Sequence, residues 1–500
     1  MRFFPRVWAL TLSALLLASA AGAALRLEPY AARVHEFTLA NGLRVVLVED
    51  HGAPVVTACF TARGGYADDP QGMRGMSNLV VFLLEEGPEA LGSKNLTAER
   101  AALKTMNAAV AAYRALANKP GAGGELDRMD AEAKARLAAG QAESLAKPRF
   151  SAKALELYGV QDFQISANAD HLRWSGRLPS HRLDAFLLLY GEWLKKPLPR
   201  MVYSNREQMI REYADARPTQ EQILRQALLT PVFGPRGYGL PPLEGKELAN
   251  LHYPEIESFL QARLAASNLT LSLAGDLTLA EAQALAARYL AAIPAGQPFA
   301  APAPPAYPTK ELRLAPPSEL SSLLGVGYRR PPESSPDDPV FDLISELLVD
   351  NPLSRLRTSF AKENPLFPTP VVFPSIPGAR QGGLMVTLAN YHPSRSPEEW
   401  VTLLCDLFEK LGKTPPTAEE LAFARRSNER KLITVLADPA SAALYLGQMG
   451  GWKPVEALAA AWGKATPADV QRVAAEYLRA ERRFILQPGY VAPAAAGAAQ

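Results

Sequence analysis

Residues 253–275 read YPEIESFLQARLAASNLTLSLAG, and residues 466–489 repeat the same order of features as TPADVQRVAAEYLRAERRFILQPG. In both segments a proline lies in the first turn of a helix, where its missing N–H costs no hydrogen bond. Apolar residues then recur at helical spacing and give way to the alternation of a β-strand. The same helix and strand therefore close two parts of the chain, and the sequence predicts two copies of one structural unit.

The segments before these two ends also correspond. In each copy, strand patterns are followed by two helices that a pair of prolines separates. The predicted elements are strands 162–167 and 172–176 with helices 182–194 and 205–214, then strand 383–389 with helices 397–411 and 418–436. At the start of the chain, Asn41-Gly42 joins two alternating runs, at 34–39 and 43–48, as a hairpin turn, and a third strand follows at 55–61. We expect an α+β fold of two homologous domains, each a mostly antiparallel sheet covered by helices on one face.

A stretch rich in proline and alanine at 294–308 divides the two units, because proline favours an extended path without regular structure. The predicted domains are 27–293 and 309–490, and 491–500 is a low-complexity tail expected to be disordered. Residues 97–147 do not match the order of strands and helices that the two units share. They are predicted to form two helices broken at 119–124. This inserted hairpin either packs on its own domain, through a stripe that includes Met106 and Val110, or serves as a partner-docking arm.

The start of the chain resembles an export signal. Residues 1–23 contain arginines, an apolar run and small residues, so we expect a cleaved signal peptide and a bacterial periplasmic location, with an uncleaved anchor as the alternative. No later segment of the sequence is apolar enough to span a membrane. The net charge of +2 argues against a nucleic-acid partner. Cys59 and Cys405 are expected to be buried and unpaired, although export would permit a disulfide.

Residues 72–87, GMRGMSNLVVFLLEEG, carry the most specific resemblance. They resemble the first helix of the insulinase-like (pitrilysin-type) zinc peptidases, which reads Gly-x-x-His-x-x-Glu-His. The two zinc-binding histidines and the glutamate of that pattern fall on Asn78, Phe82 and Val81. An amide, an aromatic ring and an aliphatic side chain neither hold zinc nor activate water. The resemblance continues in 232–245, 268–277 and 352–360, so it covers most of the chain.

Membership in that family implies two homologous α+β domains and a clam-shell chamber closed by two chains or two fused halves. The family's third zinc ligand, a glutamate, falls on Glu212, for which a solvated helix position is the alternative. A substrate-contacting arginine and tyrosine fall on Ala361 and Pro368, with Arg355 and Arg357 nearby but out of register. The strand that captures peptide falls on Phe163-Gln164-Ile165-Ser166, which is otherwise an ordinary amphipathic strand.

The sequence offers no clear replacement site. The six histidines, His35, His51, His171, His181, His252 and His392, contain no pair spaced three to five residues apart, so they predict no local zinc site. Asp170-His171 lies near the capture strand and is expected in a surface turn. A serine-hydrolase elbow, Gly-x-Ser-x-Gly, is also missing from the sequence.

These observations favour an exported, non-catalytic insulinase-family homologue that needs no metal or cofactor. It would be the supporting or substrate-holding subunit of a heteromeric zinc peptidase, with a zinc-bearing homologue as partner and a peptide or unfolded protein as substrate. The alternative is a peptide-binding or assembly protein that uses the clam-shell fold without a peptidase partner. A third hypothesis is a hydrolase with an unconventional active site.

Overall fold

The computed structural model describes residues 27–117, 124–215, 218–241, 243–367 and 369–491. The predicted signal peptide, nearly all of the predicted tail, and Pro368 therefore lie outside the described residues. No helix in the described part is long and apolar enough to cross a membrane. Cys59 and Cys405 are both buried and free, as the sequence predicted.

The first half of the chain is built on a six-stranded sheet. Its order is β1-β2-β6-β3-β5-β4, and all neighbours are antiparallel except β2 and β6. The strands are β1 (Val34–Thr38), β2 (Arg44–Glu49), β3 (Val55–Arg63), β4 (Gln161–Ala167), β5 (His171–Pro179) and β6 (Leu269–Gly275). The predicted turn joins β1 to β2, because Gly42 takes a φ of +89° and the Asn41 side chain accepts a hydrogen bond from the Leu43 N–H.

Helices cover this sheet and enclose a core in which Phe60, Trp174, Phe186 and Tyr190 pack ring against ring. The helices are α1 (Glu28–Ala31), α2 (Met76–Leu83), α3 (Leu96–Ala117), α4 (Glu125–Ser144), α5 (Phe150–Leu157), α6 (Leu183–Lys195), α7 (Val202–Asp215), α8 (Gln220–Phe233), α9 (Gly245–Leu248), α10 (Tyr253–Arg263) and α11 (Leu279–Leu290). The inserted hairpin is α3 and α4, and Met106 and Val110 of α3 lie in the core of this half.

The second half is built on a five-stranded sheet of order β7-β11-β8-β10-β9. Its strands are β7 (Leu312–Leu314), β8 (Leu323–Arg329), β9 (Val371–Ile376), β10 (Leu384–Asn390) and β11 (Arg483–Leu486). Its α-helices are α12 (Asp338–Ser345), α13 (Ala361–Glu363), α14 (Pro397–Lys413), α15 (Ala418–Ala437), α16 (Pro439–Met449), α17 (Trp452–Lys464) and α18 (Pro467–Tyr477). Two π-helical turns, Glu346–Asp350 and Leu356–Phe360, precede α13, and α14, α15 and α18 each begin with a capping box.

The two sheets share one topology, which supports the predicted duplication. The closing strands β6 and β11 each have a parallel neighbour on one side, β2 or β7, and an antiparallel neighbour on the other, β3 or β8. The sheets are therefore mixed, because each closing strand returns along a helix and enters between two existing strands. The prediction of mostly antiparallel sheets holds apart from these two pairs. No helix or strand lies between Leu290 and Leu312, the region of the predicted linker.

The second face of each sheet is covered by a helix from the other half, which the sequence did not predict. Helix α16 of the second half lies on β2, β3 and β6, so close that a Cβ on Gly447 would come within 2.7 Å of Thr61 Oγ1. Helix α8 of the first half contributes Phe233 to a core that also contains Leu384 and Phe484 of the second sheet. The expectation of helices on one face is therefore incomplete, since each half completes the burial of the other's sheet.

Candidate functional site

Helix α2 carries the three positions of the degenerate zinc motif. It begins after Gly75, whose φ of +88° lies in the left-handed region that glycine tolerates. The Asp69 carboxylate accepts hydrogen bonds from the backbone N–H groups of Gly75 and Ser77, at 2.8 and 3.1 Å, and so caps the helix. Burial raises the pKa of Asp69 to about 6, against the opposing effect of these hydrogen bonds.

Asn78 occupies the position of the first zinc ligand and is half-buried. Its Nδ2 atom donates a hydrogen bond to Tyr213 Oη on α7 at 3.1 Å. Burial raises the pKa of Tyr213, so the phenol stays neutral at physiological pH. An amide paired with a neutral phenol has no base and no metal-binding anion, so this pair can hold or orient a ligand but cannot activate water.

The other two motif positions carry apolar side chains, and the carboxylate at the third-ligand position is hydrogen-bonded within its own helix. Val81 and Phe82 are half-buried, and Phe82 packs against the core of the first half. Glu212 is exposed and accepts a hydrogen bond from Gln208 Nε2 on its own helix at 2.9 Å. The neighbouring residue, Tyr213, is the one that faces Asn78. Sequence reasoning missed Tyr213 because the motif directs attention to the carboxylate, and one residue turns a helix by about 100°.

A cavity of about 380 Å³ opens beside Asn78. Its walls are largely aromatic and aliphatic, with two arginines at the rim of the polar side. Arg74 is already engaged by Glu247 at 2.7 Å, and Arg225 by Glu221 at 3.0 Å. The lining residues are Tyr66, Asp69, Arg74, Gly75, Asn78, Tyr213, Pro218, Gln222, Arg225, Gln226, Leu229, Tyr238, Leu240, Pro241 and Leu243. The size and the mixed lining are typical of pockets that take an apolar group.

Strand β4, which contains the predicted capture residues, lies at the end of the six-stranded sheet beside α2. Gln164 and Ser166 are exposed, whereas Phe163 and Ile165 turn inward and pack against the core. The pairing with β5 slips between Gln161 and Gln164, where Asp162 takes a φ of +52°. Among the described residues no strand pairs with the outer side of β4, so its backbone groups there are available to an added strand.

Of the predicted second-half positions, those that the structure describes do not line this cavity. Ala361 begins α13 and is half-buried, and Pro368 lies outside the described residues. Arg355 is held by both carboxylate oxygens of Glu420, at 2.9 and 3.0 Å, and Arg357 is exposed. In the described ranges no group of three or more histidine, cysteine, aspartate or glutamate side chains could hold a metal ion.

Asp170 does not lie in the surface turn that the sequence predicted. It accepts hydrogen bonds from Tyr238 Oη and from the backbone N–H of Ala379, the latter at 3.0 Å, and it lies 3.4 Å from Arg380 Nε. Arg380 also pairs with Asp68 at 2.5 Å. The predicted surface turn is therefore a contact between the two halves. Its neighbour His171 is buried, and burial lowers its pKa to about 4.

Restoring the zinc motif on α2 is expected to fail. The triple variant Asn78→His, Val81→Glu, Phe82→His should purify with little zinc and show no zinc-dependent peptide cleavage, because Glu212 points to solvent and Tyr213 occupies its place. Elemental analysis and a fluorogenic peptide assay check this. A matched variant that adds Tyr213→Glu supplies the missing carboxylate and should bind more zinc. Binding of one zinc ion per chain by the triple variant would contradict the conclusion that Glu212 does not complete a zinc site.

Glu86, just past α2, gives the first half a pH dependence. It is 3% exposed, its Oε2 accepts the Arg149 N–H at 2.9 Å, and burial raises its pKa from 4.5 to about 7. The folded state thus keeps a proton that the unfolded state loses, so stability falls as pH rises from 4.5 to 7. We expect Glu86→Gln to remove that fall and gain up to about 3 kcal/mol at pH 8. Urea unfolding at pH 5 and pH 8 measures the change in stability, and Glu212→Gln, at an exposed position, is the control.

Comparison with known proteins matches one part of the chain to a protein family. Residues 250–428 match the family described as the peptidase M16 inactive domain. Residues 250–428, about a third of the chain, therefore resemble the insulinase-like (M16) family through this inactive domain. A search of curated proteins gave no match.

Solved structures resemble the chain along most of its length. A protease from Helicobacter pylori matches with a TM-score of 0.68 and 16% identity, covering 91% of this chain and 98% of that one. A peptidase M16 inactive domain from Pseudomonas fluorescens matches with a TM-score of 0.65 and 19% identity, covering 91% and 97%. The periplasmic protease PqqL from Escherichia coli matches with a TM-score of 0.64 and 13% identity, covering 91% of this chain and 47% of that one. At these identities the likeness is one of fold, and this chain matches about half of PqqL.

Proposed function

We propose that the chain is a non-catalytic insulinase-family protein that holds an extended peptide on β4 and supports a zinc-bearing homologous subunit. The observation that carries the proposal is the Asn78–Tyr213 hydrogen bond at the position of the first zinc ligand, beside an edge strand with an unpaired outer side. The catalytic chemistry is replaced, while the means of holding a peptide is kept.

The peptide would add to the outer side of β4 through main-chain hydrogen bonds, which need no particular side chain. Every second peptide side chain would then face the same way, so one of them can enter the cavity beside Asn78. The aromatic and aliphatic walls of that cavity favour a bulky apolar side chain at that position. In this proposal the Asn78 and Tyr213 side chains, which bond each other at 3.1 Å, also hydrogen-bond the peptide backbone.

A scan of N-methylated peptides tests the holding of peptide. Methylation removes one N–H donor, and in a strand only alternate donors point at β4. We expect affinity, measured by fluorescence anisotropy, to fall at every second position and to stay near the unmodified value between them. Hydrogen exchange should slow at Gln161–Ala167 and stay unchanged at β1, the opposite edge. A loss without alternation, or equal slowing at both edges, would exclude strand addition.

The support of a catalytic partner is tested separately. A homologue with an intact His-x-x-Glu-His from the same genome is purified and assayed alone and mixed with this chain. Faster cleavage by the mixture and a complex of defined stoichiometry are expected. If the homologue is equally active alone and forms no complex, while the chain still binds peptide, the chain is instead a binding protein without a peptidase partner. Export to a bacterial periplasm is part of the proposal on the pattern of residues 1–23.

A further inference from the structure

The second helix of the inserted hairpin, α4, exposes its large apolar residues to solvent instead of packing them against its own domain. Helix α4 buries only alanines against its neighbours, at positions 131, 135, 138, 139 and 142. Its large aliphatic residues face solvent instead, with Leu126 80%, Met129 60% and Leu137 65% exposed. Large apolar side chains that are exposed together on one surface often mark interaction sites.

These residues form a single stripe. Leu126, Met129, Ala133 and Leu137 follow a spacing of three, four and four residues, which places them within roughly 80° of one another around the helix. We call this set the hairpin face. Beside it a shallow groove of about 400 Å³ extends onto α3, with Ala109, Ala112 and Leu116 among its lining residues.

One ion pair flanks each side of the hairpin face. Lys134 pairs with Asp130 at 2.6 Å on one side, and Arg136 pairs with Glu132 at 2.7 Å on the other. All four side chains are at least 40% exposed. Each flank therefore carries one negative charge, which precedes Ala133 in the chain, and one positive charge, which follows it.

This arrangement is complementary to itself in one orientation. A two-fold axis near Ala133 brings an antiparallel copy of α4 against the hairpin face and sets each flank against the same flank of the copy. With the axis at Ala133, Asp130 comes within about 3 Å along the axis of Lys134 of the second copy, and Glu132 equally close to Arg136 of the second copy. Lys134 and Glu132 each lie about as close to their own equivalents, so opposite-charge contacts outnumber like-charge contacts by about two to one. In a parallel pair Lys134 would still face Glu132, but Asp130 would also face Glu132 and Lys134 would face Arg136, so like-charge contacts would outnumber opposite-charge contacts by about two to one.

We propose that the hairpin face docks antiparallel against the hairpin face of a second copy of this chain. The apolar stripe supplies the buried surface, and the flanking charges select the antiparallel orientation. The proposal is independent of peptide holding, because α4 carries none of the residues assigned to that site. The contact is small, so a dissociation constant on the order of 10 µM is expected.

Sedimentation velocity of the full chain over a range of concentrations tests the proposal. We expect a monomer–dimer equilibrium that Met129→Glu and Leu137→Glu each weaken by about tenfold or more. Leu366→Glu, at a residue 54% exposed on the second half, is the matched control and should leave the equilibrium unchanged. Circular dichroism verifies that each variant is folded.

A charge exchange tests the orientation. Lys134→Glu sets two acids against two acids and should weaken the dimer, whereas Asp130→Lys with Lys134→Glu restores opposite charges and should recover the original affinity. High salt should reduce the difference between these variants. A chain that stays monomeric well above the expected dissociation constant overturns the proposal, as does a dimer insensitive to Met129→Glu, or a double exchange that fails to recover affinity. Occupation of this face by a different protein, with no self-association, also overturns it.

Discussion

Replacing Glu99 with alanine is expected to lower the free energy of unfolding by about 3–5 kcal/mol. Glu99 on α3 binds Arg200 through both carboxylate oxygens, at 2.7 and 2.9 Å, and both side chains are 1% exposed. Arg200 also donates to the carbonyl oxygens of Gly87 and Pro88, at 2.6 and 2.9 Å. Removing the carboxylate leaves a buried guanidinium without its counter-ion, at the point where the inserted hairpin joins the segment after α2.

Two further variants show whether the charge is responsible. Glu221→Ala removes an exposed pair with Arg225 and should change the free energy of unfolding by no more than about 0.5 kcal/mol. The double variant Glu99→Leu, Arg200→Met removes both charges and should be more stable than Glu99→Ala, since no unpaired ion remains. Urea unfolding followed by circular dichroism measures all three. A Glu99→Ala variant as stable as Glu221→Ala would show that the buried pair contributes little.

Replacing Phe233 with alanine is expected to have the second large effect, lowering the free energy of unfolding by about 3–5 kcal/mol. Phe233 ends α8 and is 4% exposed in the core between α8 and the second sheet. Its ring stacks edge-on against Tyr238 at 5.4 Å, and the buried guanidinium of Arg329 lies 4.9 Å from its centre. The substitution removes apolar contact and one of the two rings that pack against Arg329, a residue of the second half, and leaves the guanidinium only the Tyr307 ring at 4.5 Å.

The measurement for Phe233→Ala should distinguish a local from a shared effect. Because α8 belongs to one half and covers the sheet of the other, we expect hydrogen exchange to rise in α8 and in β10 and β11 alike. Leu188→Ala, at a residue 41% exposed on α6, is the control and should cost less than about 1 kcal/mol. Faster exchange confined to α8 would mean that the second sheet does not depend on this contact.

Local patterns in the sequence were enough to predict the duplicated unit. The Asn41-Gly42 hairpin, the proline-initiated helices at 253 and 467, and the strands that follow them all arise from short-range signals, and the structure places them within a few residues of prediction. The parallel pairs β2–β6 and β7–β11 were missed, because which strands become neighbours depends on the path of the chain between them. Helices α8 and α16 were not assigned to the opposite half for the same reason.

The sequence predicts the loss of the zinc motif but not the contacts that its positions make in the folded chain. The motif directs attention to Asn78, Val81 and Phe82, and their residue types alone exclude zinc chemistry. The hydrogen bond from Asn78 to Tyr213 joins residues 135 positions apart, and that from Ala379 to Asp170 joins residues 209 positions apart. No local pattern encodes such pairings, so neither partner could be chosen from sequence.

The reciprocal covering of the sheets changes what the segment between the halves has to do. Residues 294–308 carry no regular structure, whereas α8 and α16 each bury themselves against the opposite sheet. Once the chain has folded, a protease that nicks this segment would leave two fragments held together by those helices. The covalent connection raises the local concentration of the two halves during folding, and the native assembly no longer depends on it.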